Sequence, residues 1–245
     1  MLVAGGTGSI GGSVARQALA AGWRVAVHGR SETSVAACLE WLEVPEAEAR
    51  GFAADITAIG AVDGLVERAG AWAGRIDAVV DCVSTGPAMR LAGPLGQTQP
   101  EGYGSLLALS LGHVERLAYA ALPWLAREGG TFVAFASDAG RFAAPNQSLI
   151  GASRAGIMGF VRNLAVEVAR DRVRVHCISP SFVDDTDVAH DLAERGGGRL
   201  AKARARAGLG LPTPEDIAPL VLFLCGEGAR RITGQVISIN GGLNA

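Results

Sequence analysis

Met1-Leu2-Val3-Ala4-Gly5-Gly6-Thr7-Gly8-Ser9-Ile10-Gly11-Gly12, with Ser13 to Ala21 behind it, is the stretch on which the reading of this chain turns. A short apolar segment runs into a glycine cluster. An alanine-rich stretch with helical spacing follows (Ile10, Val14, Ala18, Ala21). The pattern is strand, tight turn, helix. Such a turn leaves backbone N–H groups at the helix N-terminus, where partial positive charge suits a pyrophosphate. Glycines let the backbone approach phosphates with no Cβ in the way. Between a strand and a helix, the cluster predicts a dinucleotide site.

Outward from this opening, strands and helices alternate. Strands are expected over residues 24–28, 51–54, 76–83, 131–136, 173–178 and 235–239, and helices over 32–43, 59–72, 101–127, 148–170 and 214–225. The run 76–83 is almost wholly apolar, as in a strand buried on both faces. Residues 84–99 read as a loop. Residues 179–213 are irregular, with one basic helical piece. The alternation predicts an α/β fold, a Rossmann-like doubly wound parallel sheet of about seven strands with helices on both faces. Ligands then belong at the carboxyl ends of the strands. No repeat or linker divides residues 1–245, so a single domain is expected, with a small lid at about 184–212.

Of the 245 residues, 49% are hydrophobic and 19% charged, enough to build a large core and too apolar for a disordered chain. The net charge of −2 argues against a nucleic-acid partner. No apolar run approaches a membrane span. With the first strand starting at residue 2, no signal peptide is expected. Cys38, Cys82, Cys177 and Cys225 form no CxxC pair; three of them sit in apolar surroundings and read as small core residues, a reduced cytoplasm is the expected compartment, and no metal site is expected. Asp184, Asp185, Asp187 and His190 lie close in sequence but match no metal template.

Several stretches together resemble the short-chain dehydrogenase/reductase family over essentially the whole chain. Ala4 to Gly11 is similar to the family's TGxxxGxG loop, with Ala4 for Thr and Ser9 for the middle Gly. Asp55-Ile56 resembles its adenine-contacting pair. Asp81-Cys82-Val83-Ser84 stands where the family has NNAG. Gly151 to Gly156 resembles the region after its catalytic tyrosine, and Ile178 to Val183 its PG loop, with Ser181 for Gly. Ile232-Thr233-Gly234-Gln235 and Asn240-Gly241-Gly242 resemble its C-terminal signature. The resemblance implies a nicotinamide coenzyme held by Gly5, Thr7, Gly8, Ser9, Ile10, Gly11, Arg30, Ser31, Asp55, Ile56, Val83, Arg154, Pro180 and Val183. At the end of the second strand, where an acid would bind a ribose 2′-OH, stand Gly29 and then Arg30. A guanidinium there forks onto a 2′-phosphate, which favours NADP(H) over NAD(H).

The resemblance also shows a departure. The family's proton machinery is Asn, Ser, Tyr and Lys. Ser137 matches the serine, but thirteen residues on the tyrosine position is Ile150, and four further the lysine position is Arg154. The asparagine position is Ser110. Tyr103 and Tyr119, the only tyrosines, match neither position. Isoleucine supplies no proton. Arg154 stays charged, so it is a poor proton shuttle but a usable electrostatic stabiliser.

Ser137, Arg154 and Ser110 are therefore the candidate catalytic residues, and three readings stay open. One is a reductase whose substrate needs no tyrosine, an iminium or a conjugated acceptor. One is a silent coenzyme binder or partner subunit. One is a non-redox enzyme such as a lyase, since a Ser and Arg at this spacing are similar to the halohydrin dehalogenases. His113, one turn after Ser110, is a candidate substitute acid. Asp138, beside Ser137, is a further candidate for the cleft, although adjacent strand positions tend to face opposite ways.

The segment Arg195, Arg199, Lys202, Arg204, Arg206 lies where the family places its lid. It reads either as a solvated helix with a basic face or as a site for an anionic small-molecule substrate, with Gly196, Gly197, Gly198 and Gly208 as hinges. The family's long helices pack into dimers and tetramers. A homodimer or homotetramer is therefore expected, or a hetero-oligomer with a related subunit.

Overall fold

Strand β1 (Leu2–Ala4) stops after three residues because the chain turns at Gly5, whose φ of +72° is open to glycine but strained for other residues. In the computed structural model, which describes residues 1–83, 91–194 and 198–244, β1 lies in the interior of the sheet. Ser84, Arg195, Gly196 and Gly197 lie outside the described residues. The other strands are β2 (Val25–Gly29), β3 (Ala49–Ala53), β4 (Ala78–Asp81), β5 (Thr131–Phe135), β6 (Arg174–Pro180) and β7 (Val236–Ile239). The order is β3-β2-β1-β4-β5-β6-β7, and every neighbouring pair is parallel. This is the Rossmann-like doubly wound α/β fold. Strands 1 to 3 wind one way and 4 to 7 the other, which opens a crevice beyond the ends of β1 and β4.

Strand side chains alternate between two cores. Leu2, Ala4, Phe52, Val79, Phe132 and Val175 pack under helices α3 (Ala61–Ala73), α5 (His113–Leu125) and α6 (Ser148–Glu167). Val3, Val27, Val80, Val133 and Ile178 pack under α1 (Ser9–Ala20) and α9 (Pro214–Cys225). α2 (Glu32–Leu42) starts at Ser31, which closes a capping box with Ser34.

The structure corrects three expectations. The fourth strand covers only Ala78–Asp81 of the apolar run 76–83. The segment 179–213 holds two helices, α7 (Asp187–Glu194) and α8 (Arg199–Arg206), not one. The long helix expected over 101–127 is broken. After α4 (Tyr103–Leu107), residues Ala108–Gly112 form a π-turn before α5. The Ser110 hydroxyl donates back to the Leu106 carbonyl, a bond that competes with the helix ladder. Gly104 and Gly112 weaken the ladder further.

His176, in the middle of β6, is wholly buried, and neither ring nitrogen meets a partner at good geometry among the described residues. Burial, helped by the neighbouring Arg174 cation, pushes its pKa from 6.5 down to about 4. The folded state therefore holds it neutral. The stability it contributes is present above pH 6.5 and is lost as pH falls through its folded value. The loss is on the order of 3 kcal/mol. Urea unfolding followed from neutral pH down to about pH 4 is expected to show this loss, and His176→Leu to remove most of it.

Candidate active site

The glycine turn is built around one histidine. The Gly5 N–H donates to His28 Nδ1 (3.0 Å), and His28 Nε2 lies 3.0 Å from the Ala54 carbonyl. His28 is therefore neutral, with its proton on Nε2 donating to Ala54, and burial lowers its pKa in keeping with that. It ties the turn after β1 to the segment that leads into Asp55. Past the turn, α1 begins at Gly8 with no side-chain cap and no acidic residue in its first turn. A Cβ on Gly11 would sit 2.2 Å from the Gly5 carbonyl oxygen, so only glycine lets the helix cross the turn this closely. Uncapped N–H groups, no nearby acid and bare backbone form a cradle that fits a pyrophosphate.

The cleft that opens from this cradle has a volume of about 680 Å³. Gly8, Ser9, Ile10 and Val83 line one end, and Ser137, Ile150, Arg154, Pro180 and Val183 continue the wall. Ile150 and Arg154 stand one turn apart on α6 and face the cleft together. Ser137 extends from β5, and its Oγ accepts weakly from the Ala139 N–H (3.4 Å). The far side is lined by residues of α7 and by Arg199, Lys202 and Arg206 of α8.

Behind the wall lies a buried ionic cluster that sequence reasoning did not assemble. His113 Nε2 is 2.9 Å from Asp81 Oδ2, and both side chains are under 5% exposed. Asp81 Oδ1 accepts from the Val83 N–H (3.2 Å). Burial works to lower the His113 pKa, but the Asp81 carboxylate outweighs it, aided by the Leu109 carbonyl, and raises it. That carbonyl is freed by the π-turn, because the His113 N–H bonds to Ala108 instead. Burial also pulls the Arg154 guanidinium below its usual range, while Asp81 opposes the shift. One carboxylate thus favours the charged form of both groups.

A second feature that the sequence did not show is the network around Asp138. This residue is 1% exposed and accepts from Ser179 Oγ (2.9 Å), Ser238 Oγ (2.7 Å) and Asn240 Nδ2 (2.5 Å). This joins the ends of β5, β6 and β7 beneath Ser137. The signal was its place beside Ser137, but its three partners are distant in sequence.

Of the expected site residues, Ser137, Arg154, Gly8, Ser9, Ile10, Val83, Pro180 and Val183 meet in the cleft. Gly5, Thr7 and Gly11 form the turn. Ser31 is exposed and serves as the α2 cap, and Arg30 is exposed beside it. Asp55 is exposed after β3. Thr57 holds it by two hydrogen bonds and lowers its pKa. Ile56 packs against the core.

Ser110 is a correction. It is wholly buried, its hydroxyl is spent on Leu106, and it is absent from the cleft wall. His113 likewise points to Asp81 rather than into the cleft. Tyr103 bonds Thr98 (2.6 Å), and Tyr119 is exposed. No group of metal-binding side chains and no helix fit to cross a membrane occurs among the described residues.

The family model described as enoyl-(acyl carrier protein) reductase matches residues 4–244. The chain belongs to the short-chain dehydrogenase/reductase family. It is similar to the short-chain reductase protein NovJ of Streptomyces niveus, at 31% identity over 98% of this chain and 92% of that one. It is 33% identical to the (5R,7aS)-5-hydroxy-7a-methyl-1-oxo-2,3,5,6,7,7a-hexahydro-1H-indene-carboxyl-CoA reductase of Mycobacterium tuberculosis, over 97% and 89%. Among solved structures, a point variant of the actinorhodin polyketide ketoreductase with NADPH superimposes with a TM-score of 0.89 at 27% identity, over 99% and 95%. Short-chain dehydrogenases/reductases are oxidoreductases that bind nicotinamide coenzymes, and the cradle at the start of α1 suits one. The relatives named are reductases, which favours the redox reading of this short-chain dehydrogenase/reductase over the silent and non-redox ones.

Proposed function

We propose that this chain is an NADPH-dependent reductase of conjugated carbonyl compounds that works without the family's tyrosine. The observation that carries the reading is the cleft wall itself: Ile150 stands one helical turn from Arg154, opposite a coenzyme cradle and in company with Ser137. NADPH, when bound, supplies a hydride. The chain's own part is to receive the substrate oxygen. The Ser137 hydroxyl donates to it, and Arg154 adds a fixed positive charge where enolate charge develops. Hydride addition at the β-carbon of an enone puts negative charge on that oxygen, and water then protonates the α-carbon. No side chain at position 150 is needed. A cationic iminium, by contrast, would be repelled by Arg154.

The coenzyme preference rests on the end of β2. A Cβ on Gly29 would lie 2.5 Å from Thr7 Cγ2, so an acidic side chain does not fit where it would meet a ribose 2′-OH. Arg30, next in the chain and exposed, supplies the charge a 2′-phosphate takes. Arg30→Ala is expected to weaken NADPH binding by about 10–100-fold and leave NADH binding nearly unchanged. Titration of both coenzymes by fluorescence measures this, and equal losses would assign Arg30 a structural role. The reaction itself is tested by NADPH consumption with matched enones and saturated ketones. Enones alone are expected to turn over, and a clear preference for saturated ketones would refute the reading.

A further inference from the structure

We propose that α8 carries an anion-binding face, and that the substrate is a conjugated carbonyl compound bearing a carboxylate or phosphate at its far end. The inference rests on the reductase reading above. It starts from a conflict within α8. Arg199, Lys202 and Arg206 fall at i, i+3 and i+7, so all three share one helix face, and all three line the cleft. No acidic partner occurs for any of them among the described residues. The fourth cation, Arg204, is turned away from that face and forks onto Asp184 (3.1 and 2.9 Å). Chance solvation would scatter the pairing; here the paired cation is the one that avoids the cleft.

The arrangement works against the helix. Cations three and four apart repel each other, and Arg199 stands in the first turn, where the helix dipole disfavours positive charge. Gly198 caps the helix with no side-chain hydrogen bond. The helix is held instead by its apolar side. Leu200, Ala203 and Ala207 are buried, the last two against Leu243. A sequence that sets local stability aside in this way marks a functional face. An anion between the three side chains removes the conflict.

The other charges in the cleft leave room for that anion. Arg154 adds a cation at the wall. Asp138 is occupied by Ser179, Ser238 and Asn240, which leaves exposed Asp187 as the opposing acid in the lining. Ser137 and the α8 cations line one continuous cleft beyond the coenzyme cradle, so a single substrate can set its carbonyl near Ser137 and a charged tail under α8.

The test uses the full chain with NADPH and three probes: a cyclohexenone with a carboxyethyl chain, its methyl ester, and the analogue with a phosphate monoester in place of the carboxylate. Turnover and calorimetric binding to the NADPH complex are both read. The acid or the phosphate is expected to exceed the ester by about 10–100-fold in kcat/KM, and the better of the two identifies the source of the charge. The triple variant Arg199→Gln, Lys202→Gln, Arg206→Gln keeps good helix formers and is expected to erase the preference while leaving NADPH affinity unchanged. An anionic probe that binds but does not turn over upholds the α8 site and removes the enone reading. Equal turnover of acid, phosphate and ester overturns the α8 site and leaves the enone reading standing. Failure of both anions to bind overturns the α8 site. So does a triple variant that loses NADPH affinity yet keeps its preference, since the cations would then serve the coenzyme.

Discussion

Exchanging Ile150 for tyrosine is expected to raise NADPH-dependent turnover of simple saturated ketones by about 10²–10⁴-fold, the usual value of one positioned general acid. Ketone reduction places a full alkoxide on the substrate oxygen, and that oxygen must then be protonated. Isoleucine has nothing to give. A phenol at this position would stand in the cleft wall, one turn from Arg154 and in company with Ser137. The Arg154 cation would lower the phenol pKa toward neutrality, as a nearby positive charge favours the phenolate. Enone turnover should change little, because it draws its proton at carbon from water. Coenzyme affinity is the control. If the Ile150→Tyr variant binds NADPH normally and gains nothing on ketones, the reacting end of the cleft does not lie at α6, and the proposed role of Ser137 and Arg154 falls with it.

The fold was legible because its signals are local. Buried parallel strands read as short apolar runs, and the turn at Gly5 to Gly11 announces itself by composition. The cleft wall was legible through two spacings: thirteen residues from Ser137 to Ile150, and four more to Arg154. What escaped notice depends on long-range pairing or on small breaks in periodicity. The π-turn at Ala108–Gly112 is only five residues inside an otherwise helical stretch, too short for the apolar periodicity to mark it. Yet that turn decides that the Ser110 hydroxyl stays inside the helix and that His113 points to Asp81. Asp138 was legible only as the neighbour of Ser137; the parallel stacking of β5, β6 and β7 is what brings Ser179, Ser238 and Asn240 to it.

Asp81→Asn should cost about 3–5 kcal/mol, the range seen when one partner of a buried ion pair is removed. Asparagine keeps the shape and can still accept from the Val83 N–H, so the loss isolates charge. Without the carboxylate, His113 loses the counter-charge that offsets its burial and the Arg154 cation. The pH dependence separates this account from a neutral hydrogen bond. In the wild-type chain the His113 pKa is raised above 6.5. Its stabilisation is therefore fully present below pH 6.5 and is lost as pH rises through the folded value. In the variant, only the Leu109 carbonyl still opposes burial and Arg154, so the same group is pushed down and acid now destabilises. The deficit between the two proteins is expected to be largest near about pH 5.5 and to narrow by about pH 8.5 in urea unfolding. A deficit that stays constant across that range would mean that His113 is neutral in the folded chain. Asp81 would then serve it as an acceptor rather than as a counter-charge.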